Sequence, residues 1–158
     1  MFARTSLRGE SIHKGSYSIV GLDLAKRAFQ VHAARDDGSV VLRRKLSRGQ
    51  VLAFFAELPK CTVAMEACAT AHYWAREIGK LGHEVRLVPP TYVKPFVKRQ
   101  ENDAADAEAI VEAAARPSMP FVMPKTESQQ TCSMIFRTRD LFDRQRNTAY
   151  QCPLRAPC

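Results

Sequence analysis

"SYSIVGLDLAKRAFQVHAARDDGSVVLRRKL", residues 16–46, decides the fold because it predicts three consecutive strands. Its first part, "SIVGLDL", is rich in β-branched residues, and "AFQVHAA" alternates between the two faces of an extended chain. The sequence "DDG" then supplies turn chemistry before a third strand begins in "SVVLRRKL". Short strands joined by such turns form antiparallel hairpins. The stretch therefore predicts a three-stranded meander.

The rest of the chain alternates between predicted helices and strands. A helix is expected from Ser47, as its N-cap, to Pro59, and a second helix ends near Gly82. Strands are predicted at "CTVAME" and "HEVRLVP", an alanine-rich helix at 103–115, and a basic helix at roughly 126–149. Because parallel strands need helical crossovers and hairpins do not, this order predicts an α/β fold: a mixed sheet with flanking helices, followed by a basic helical extension. The order β-β-β-α-β-α-β-α matches the ribonuclease H-like fold.

The chain carries a formal net charge of +8, which suits a polyanionic partner. Its basic residues occur in three blocks: "RRKLSR" at 43–48, "KPFVKR" at 94–99 and "RTRDLFDRQR" at 137–146. None of these blocks forms a long helix with one broad apolar face, so nucleic acid is favoured over a membrane surface. The alternative is that each block is simply a solvated surface.

Targeting and cysteine patterns indicate a cytoplasmic protein without a membrane partner. No run of about 20 apolar residues is present, and the first residues contain no apolar stretch typical of a signal peptide. The 5 cysteines show neither a CxxC pair nor zinc-ligand spacing. We therefore expect free thiols in a reducing compartment.

Four carboxylates are candidates for one metal site. Asp23 lies near the end of the first predicted strand, Glu66 ends the fourth, and Asp103 and Asp106 share one face of the alanine-rich helix. Four converging acids would repel one another strongly, and divalent cations relieve that repulsion. A pair of Mg²⁺ ions on carboxylates serves phosphoryl transfer, so the pattern indicates chemistry on nucleic acid.

Each acid also has a structural interpretation. Asp23 is then a turn residue at a strand end, and Glu66 is a partly buried acid paired with Arg76. Asp103 becomes an N-cap with Asp106 at the third helical position. The combination of two strand-end acids and a paired-acid helix in a basic chain favours the metal site.

Further candidates for nucleic-acid binding lie beside these acids. They are the basic and aromatic residues Lys26, Tyr92, Lys94, Lys98 and Arg99. Lysine and arginine suit phosphate contacts, and an exposed tyrosine suits stacking on unpaired bases. The alternatives are a solvated helix face for the block at 91–100 and an ion pair with an acid for Lys26. His72 is interpreted as a helix-start residue whose neighbours pack into the core, with a catalytic role as the alternative.

The motifs "GLDLAK", "MEA" and "NDAADAEAI" together resemble the amino-terminal domain of the DEDD transposases. These are insertion-sequence transposases related to the pilin-gene invertase and guided by a bridge RNA. The resemblance covers roughly residues 17–130 and implies a RuvC-like fold that depends on Mg²⁺ or Mn²⁺. Its catalytic and metal-binding tetrad is implied to be Asp23, Glu66, Asp103 and Asp106. The implied partners are DNA, guide RNA and further copies of the intact protein.

The domain boundaries predicted from this resemblance are a flexible leader at 1–16, the RuvC-like domain at 17–116, and a connecting segment with a basic helix at 117–158. In the family a later domain carries a catalytic serine, so we expect this chain to be truncated and inactive by itself. Two alternatives stay open. One is a stand-alone nuclease or junction resolvase, and the other is a non-catalytic nucleic-acid-binding remnant.

Overall fold

The computed structural model describes residues 18–25, 28–35, 39–94 and 103–151, with side chains from residue 106 to 150 in the last segment. The predicted leader at 1–16 lies outside the described residues. The elements of the described segments are β1 (Ile19–Asp23), β2 (Phe29–Ala34), β3 (Val40–Leu46), α1 (Val51–Glu57), β4 (Thr62–Glu66), α2 (Ala71–Lys80), β5 (Glu84–Val88), α3 (Pro90–Val93), α4 (Asp103–Ala114) and α5 (Glu127–Gln151).

The strands form one mixed sheet in the order β3-β2-β1-β4-β5. β2 pairs antiparallel with both β1 and β3, as the predicted meander requires. β1, β4 and β5 run parallel, and a helix crosses over before each of the last two strands. The predicted ribonuclease H-like mixed sheet with flanking helices is confirmed.

Helices cover both faces of this sheet. On one face, α1 and α2 bury Phe55, Trp74 and Ile78 against the apolar side chains of the strands. On the other face, α4 packs its alanines and the fully buried Ile110 against Ala64 and Val88. The central strands are therefore buried on both sides, which explains their nearly continuous apolar sequences.

The helix ends follow local capping chemistry. Thr126 precedes α5 and forms a capping box, because its Oγ1 accepts from Gln129 N–H (3.2 Å) and its own N–H donates to Gln129 Oε1 (3.0 Å). The basic helix, expected at roughly 126–149, is α5 at 127–151. The sequence did not predict α3, a short helix with Pro90 at its first position. Proline is tolerated there because the backbone N–H at the first helical position has no partner within the helix.

The segment between α4 and α5 returns along the outer edge of the sheet. Val122 N–H donates to Leu87 O (2.8 Å), which forms an isolated antiparallel bridge on β5. This contact covers part of an otherwise open edge strand and leads the chain to the start of α2, where α5 begins. No helix within the described segments is both long and apolar enough to span a membrane.

Gly21 lets α4 approach the sheet closely. A Cβ atom at this position would lie 2.5 Å from the carbonyl oxygen of Ala107 and 2.6 Å from Cγ2 of Val111. Contacts this short force the helix or the strand to move. The glycine therefore fixes the distance between β1 and α4 by its lack of a side chain.

We expect Gly21→Ala to lower the free energy of unfolding by about 1–3 kcal/mol, the usual effect of an overpacked core. The control is Gly79→Ala in α2, where a Cβ meets nothing within 4 Å. Alanine's higher helix propensity should raise stability there by about 0.5–1 kcal/mol. Urea denaturation measures both variants, and equal effects would show that α4 does not rest on Gly21.

Candidate functional site

Two strands end side by side at one edge of the sheet. β1 and β4 are parallel neighbours, and Leu22 is in register with Met65. The next positions in the same register are Asp23 and Glu66, the last residues of the two strands. Because side chains alternate along a strand, Asp23 lies on the same face as Gly21, the face that α4 covers.

The first turn of α4 lies at this same edge. Ala107 contacts the middle of β1 at Gly21, whereas Glu112 and Ala115 line a cavity with Ser18 at the start of β1. The helix therefore runs antiparallel to β1, with its first residues above the ends of β1 and β4. We call this region the acidic edge. It consists of Asp23, Glu66, Asp106 and the helix start at Asp103, whose side chain is outside the described part of the structure.

The electrostatics of Glu66 connect the strands with the helix. Burial raises the pKa of Glu66, and the negative charge of Asp106 raises it further, while the positive charge of Lys94 lowers it. The structure thus brings three predicted residues from three different segments into electrostatic contact. The pairing of Glu66 with Arg76 is not found, because Arg76 Nη1 donates instead to Lys125 O (2.6 Å) and Gln130 Oε1 (3.0 Å).

The residue types of the acidic edge, though not yet their arrangement, suit a hard divalent cation. Its side chains offer carboxylate oxygens, the ligands that Mg²⁺ and Mn²⁺ prefer. A divalent cation also relieves the repulsion between the negatively charged carboxylates. Among the side chains that the structure describes, no three His, Cys, Asp or Glu residues are arranged to hold a metal ion. The fourth predicted ligand, Asp103, is not among those side chains. Metal binding and the catalytic role of the tetrad stay predictions.

The predicted nucleic-acid contacts are placed only in part. Tyr92 in α3 is 45% exposed. Lys94 is the residue directly after α3, and its charge acts on Glu66. Lys26, Lys98 and Arg99 lie outside the described residues. Lys94 therefore acts on the acidic edge and Tyr92 is an exposed ring on the same short helix, while their contacts with nucleic acid stay predictions.

His72 connects the start of α2 to the segment that leads into α5. The residue lies in the first turn of α2, as its helix-start interpretation expected. It is itself nearly buried, and its Nδ1 accepts a hydrogen bond from Lys125 N–H (3.2 Å). Burial lowers the pKa of His72, and the charges of Lys125, Arg76 and Arg137 lower it further. The imidazole is therefore neutral at neutral pH. The sequence did not predict that Arg76, Lys125 and Arg137 surround His72. Arg76 lies in α2, Lys125 lies just before α5, and Arg137 lies in α5.

Comparison of the sequence with protein families supports the assignment of the fold. Residues 20–155 match the model of the IS110-type DEDD transposases, which is described as a transposase. The chain belongs to this DEDD transposase family.

Individual transposases show the same relationship. The DEDD transposase chain is 55% identical over 129 residues to a probable family 20 transposase of Pseudomonas aeruginosa, which covers 82% of this chain and 38% of the relative. It is 50% identical over 129 residues to the transposase for insertion sequence element IS1328 of Yersinia enterocolitica, with 82% and 39% covered. The chain thus spans less than two fifths of the length of these relatives.

A solved structure confirms the fold of the transposase chain. The Thermus thermophilus RuvC structure superposes with a TM-score of 0.51 at 13% identity, over 66% of this chain and 99% of that protein. At this identity the likeness concerns the fold alone. The sheet order and the helices on both faces therefore belong to the RuvC-like class.

Neutralising Asp106 in the transposase chain should change the pKa of Glu66 in a defined direction. Asp106→Asn removes a repulsive charge and lowers that pKa, whereas Lys94→Met removes an attractive charge and raises it. Carbon-13 NMR titration of the Glu66 carboxyl measures both shifts, and Asp140→Asn on exposed α5 serves as the control. A Glu66 pKa that is unchanged in both variants would contradict the arrangement of the acidic edge.

The same shift fixes the pH dependence of stability that Glu66 contributes. Its pKa is higher in the folded chain than in the unfolded chain, so the unfolded state binds fewer protons between the two values. Stability contributed by Glu66 is therefore complete below the usual carboxyl pKa and is lost as the pH rises through the raised value. Glu66→Gln should remove this part of the pH profile.

Proposed function

We propose that this chain is the metal-dependent domain of an insertion-sequence transposase and that the acidic edge takes part in phosphoryl transfer on DNA. The observation that carries the proposal is the adjacency of Asp23 and Glu66 at the ends of parallel strands, with Asp106 acting on Glu66 from α4. Membership of the DEDD transposase family supports the reaction class. The resemblance implies a catalytic role for the acids of this edge, which supports the proposal.

The proposed metal ligands are Asp23, Glu66, Asp103 and Asp106, with Mg²⁺ or Mn²⁺ as the cation. When bound, divalent metal supplies Lewis-acid stabilisation of charge on a reacting phosphate and activation of a nucleophile. The residues of this chain hold the ligands in place. The register of β1 and β4 fixes Asp23 beside Glu66, and the close contact at Gly21 fixes Asp106 above them.

The proposed partners are DNA and a guide RNA, and the intact protein acts as a homo-oligomer. The net charge of +8 supports a polyanionic partner. Lys94 and Tyr92 contact the strand that enters the acidic edge, with Lys26, Lys98 and Arg99 as further phosphate contacts. Exposed apolar side chains on α5, including Ile135 and Phe142 (each 63% exposed), support association with another polypeptide.

A domain exchange tests the proposal. Residues 17–130 of this chain replace the corresponding segment of the Pseudomonas aeruginosa relative, and excision of a marked insertion sequence is measured in cells. We expect the chimaera to be active and Asp106→Asn to abolish its activity. The matched control is Asp140→Asn, which makes the same chemical change on exposed α5 and should have no effect. A chimaera that stays active with Asp106→Asn would contradict the proposed role.

A further inference from the structure

A second, basic cavity lies next to the acidic edge. It has a volume of about 280 Å³ and is enclosed by residues 67–69 on one side and by α5 on the other. Residue 67 directly follows Glu66 in the chain. On α5, Gln130, Ser133 and Arg137 line the cavity at positions three, four and seven residues apart, so they share one helical face. One face of α5 therefore borders the place where β4 ends.

Hydrogen bonds hold the two walls of this cavity together. Gln130 Nε2 donates to Ala69 O (2.9 Å), and Arg76 Nη1 donates to Lys125 O (2.6 Å). Lys125 Nζ donates to Ser133 Oγ (3.2 Å) within the wall. The first half of α5 is thus tied to the loop after β4, and its charged groups have defined positions.

The two cations of the cavity, Lys125 and Arg137, differ from arginines further along α5 that pair with a carboxylate. Arg139 and Arg146 both pair with Asp143, at 3.8 and 3.3 Å. Lys125 and Arg137 form no ion pair with any carboxylate of the described residues. Two positive charges therefore face one cavity without a compensating negative charge, a condition that an anion relieves.

His72 adds a neutral donor to the same cavity. It lines the wall, and its Nδ1 is occupied as an acceptor by Lys125 N–H, so the ring proton resides on Nε2. Because burial and the surrounding cations lower the pKa of His72, the ring is neutral at neutral pH. A neutral N–H donor beside two cations suits phosphate oxygens.

We propose that this cavity, bounded by Lys125, Arg137 and His72, binds a backbone phosphate of the nucleic-acid strand whose neighbouring phosphate lies at the acidic edge. The inference rests on the proposed function, because it assigns the same strand to both places. It gives α5 a positioning role: the basic cavity fixes the register of the strand relative to Glu66. The ligand is a phosphodiester within a nucleic-acid strand, because the cavity begins at Ala67, directly after Glu66, and the acidic edge itself suits a neighbouring phosphate.

The test uses the complete chain and a short single-stranded DNA oligonucleotide, with binding measured by fluorescence anisotropy. We expect Arg137→Ala and Lys125→Met each to weaken binding about tenfold or more, as loss of a charge-assisted phosphate contact does. The matched control is Arg144→Ala, which removes the same charge from the same exposed helix two turns away and should weaken binding no more than about threefold. Circular dichroism confirms that each variant is folded.

NMR of the His72 ring locates the phosphate. The oligonucleotide should shift the His72 resonances and raise the pKa of the ring, because a bound anion stabilises the imidazolium form. An oligonucleotide of the same sequence with an uncharged methylphosphonate backbone should do neither. Inorganic phosphate that shifts His72 when the oligonucleotide does not would overturn the assignment in favour of a free-phosphate site.

The outcomes separate the two proposals. If wild-type chain binds the oligonucleotide but Arg137→Ala weakens it no more than Arg144→Ala, the basic cavity is not the phosphate site, and the proposed function stands. If wild-type chain binds no nucleic acid at all, both the proposed function and this inference fail.

Discussion

Glu66→Gln is expected to make the metal-free chain more stable and to remove most of its stabilisation by Mg²⁺ or Mn²⁺. Without metal, the half-buried carboxylate is ionised at an unfavourable position, as its raised pKa indicates, and the amide removes that charge. With metal, the wild-type chain gains about 2.7 kcal/mol at a metal concentration of about 100 times the Kd, and the variant loses this gain. Denaturation with and without metal should therefore rank the two proteins in opposite orders.

Matched variants define the origin of this effect. Asp23→Asn should lose the metal-dependent gain in the same way, because Asp23 is beside Glu66 in the register of β1 and β4. Glu57→Gln makes the same change as Glu66→Gln at the exposed end of α1 and should respond to metal as wild type does. Equal gains in wild type, Glu66→Gln and Asp23→Asn would place the metal elsewhere.

Tyr92→Ala is expected to weaken binding of single-stranded nucleic acid by roughly 5-fold to 150-fold. Loss of one stacked base corresponds to about 1–3 kcal/mol, and Tyr92 is 45% exposed on α3, two residues before the Lys94 that acts on Glu66. The control is Tyr150→Ala, since Tyr150 is 81% exposed near the end of α5 and far from the edge along the helix. Anisotropy titrations compare the two, and a larger loss for Tyr150→Ala would move the strand away from α3.

Salt dependence gives a second measurement on the same complexes. For about four phosphate contacts to a single strand, affinity should fall roughly fiftyfold between about 50 and 200 mM salt as counterions are released. Tyr92→Ala should leave this slope unchanged because tyrosine carries no charge, whereas Lys94→Met should reduce it by about one contact. A flat salt response in the wild-type chain would contradict binding to the phosphate backbone.

The sequence predicted the fold to the extent that local patterns determine it. Alternation and turn chemistry predicted the meander, and the strand ends at Asp23 and Glu66 predicted that these two acids lie at the same edge of the sheet. The close approach at Gly21 was not predictable, because a glycine in a strand carries no local signal of the helix that will lie above it. The helix α3 was missed because Pro90 both ends a strand pattern and begins a helix.

The features of the site that the sequence did not predict depend on contacts between segments far apart in the chain. The structural alternative for Glu66 paired it with Arg76, yet Arg76 donates to Lys125 and Gln130, which lie 49 and 54 residues away. Hydrogen bonds over such separations depend on the path of the whole chain around the sheet. The basic cavity around His72 arises from the same path, so its residues had no common pattern in the sequence.

Anomalous scattering from crystals grown with Mn²⁺ measures most directly whether the acidic edge is a metal site. We expect a manganese peak bounded by the carboxylates of Asp23, Glu66 and Asp106, with Asp103 ordered against the same ion. The peak should disappear in Glu66→Gln crystals grown under the same conditions. Manganese bound only at other positions, at a concentration that saturates its stabilising effect, would contradict the proposed metal-dependent chemistry.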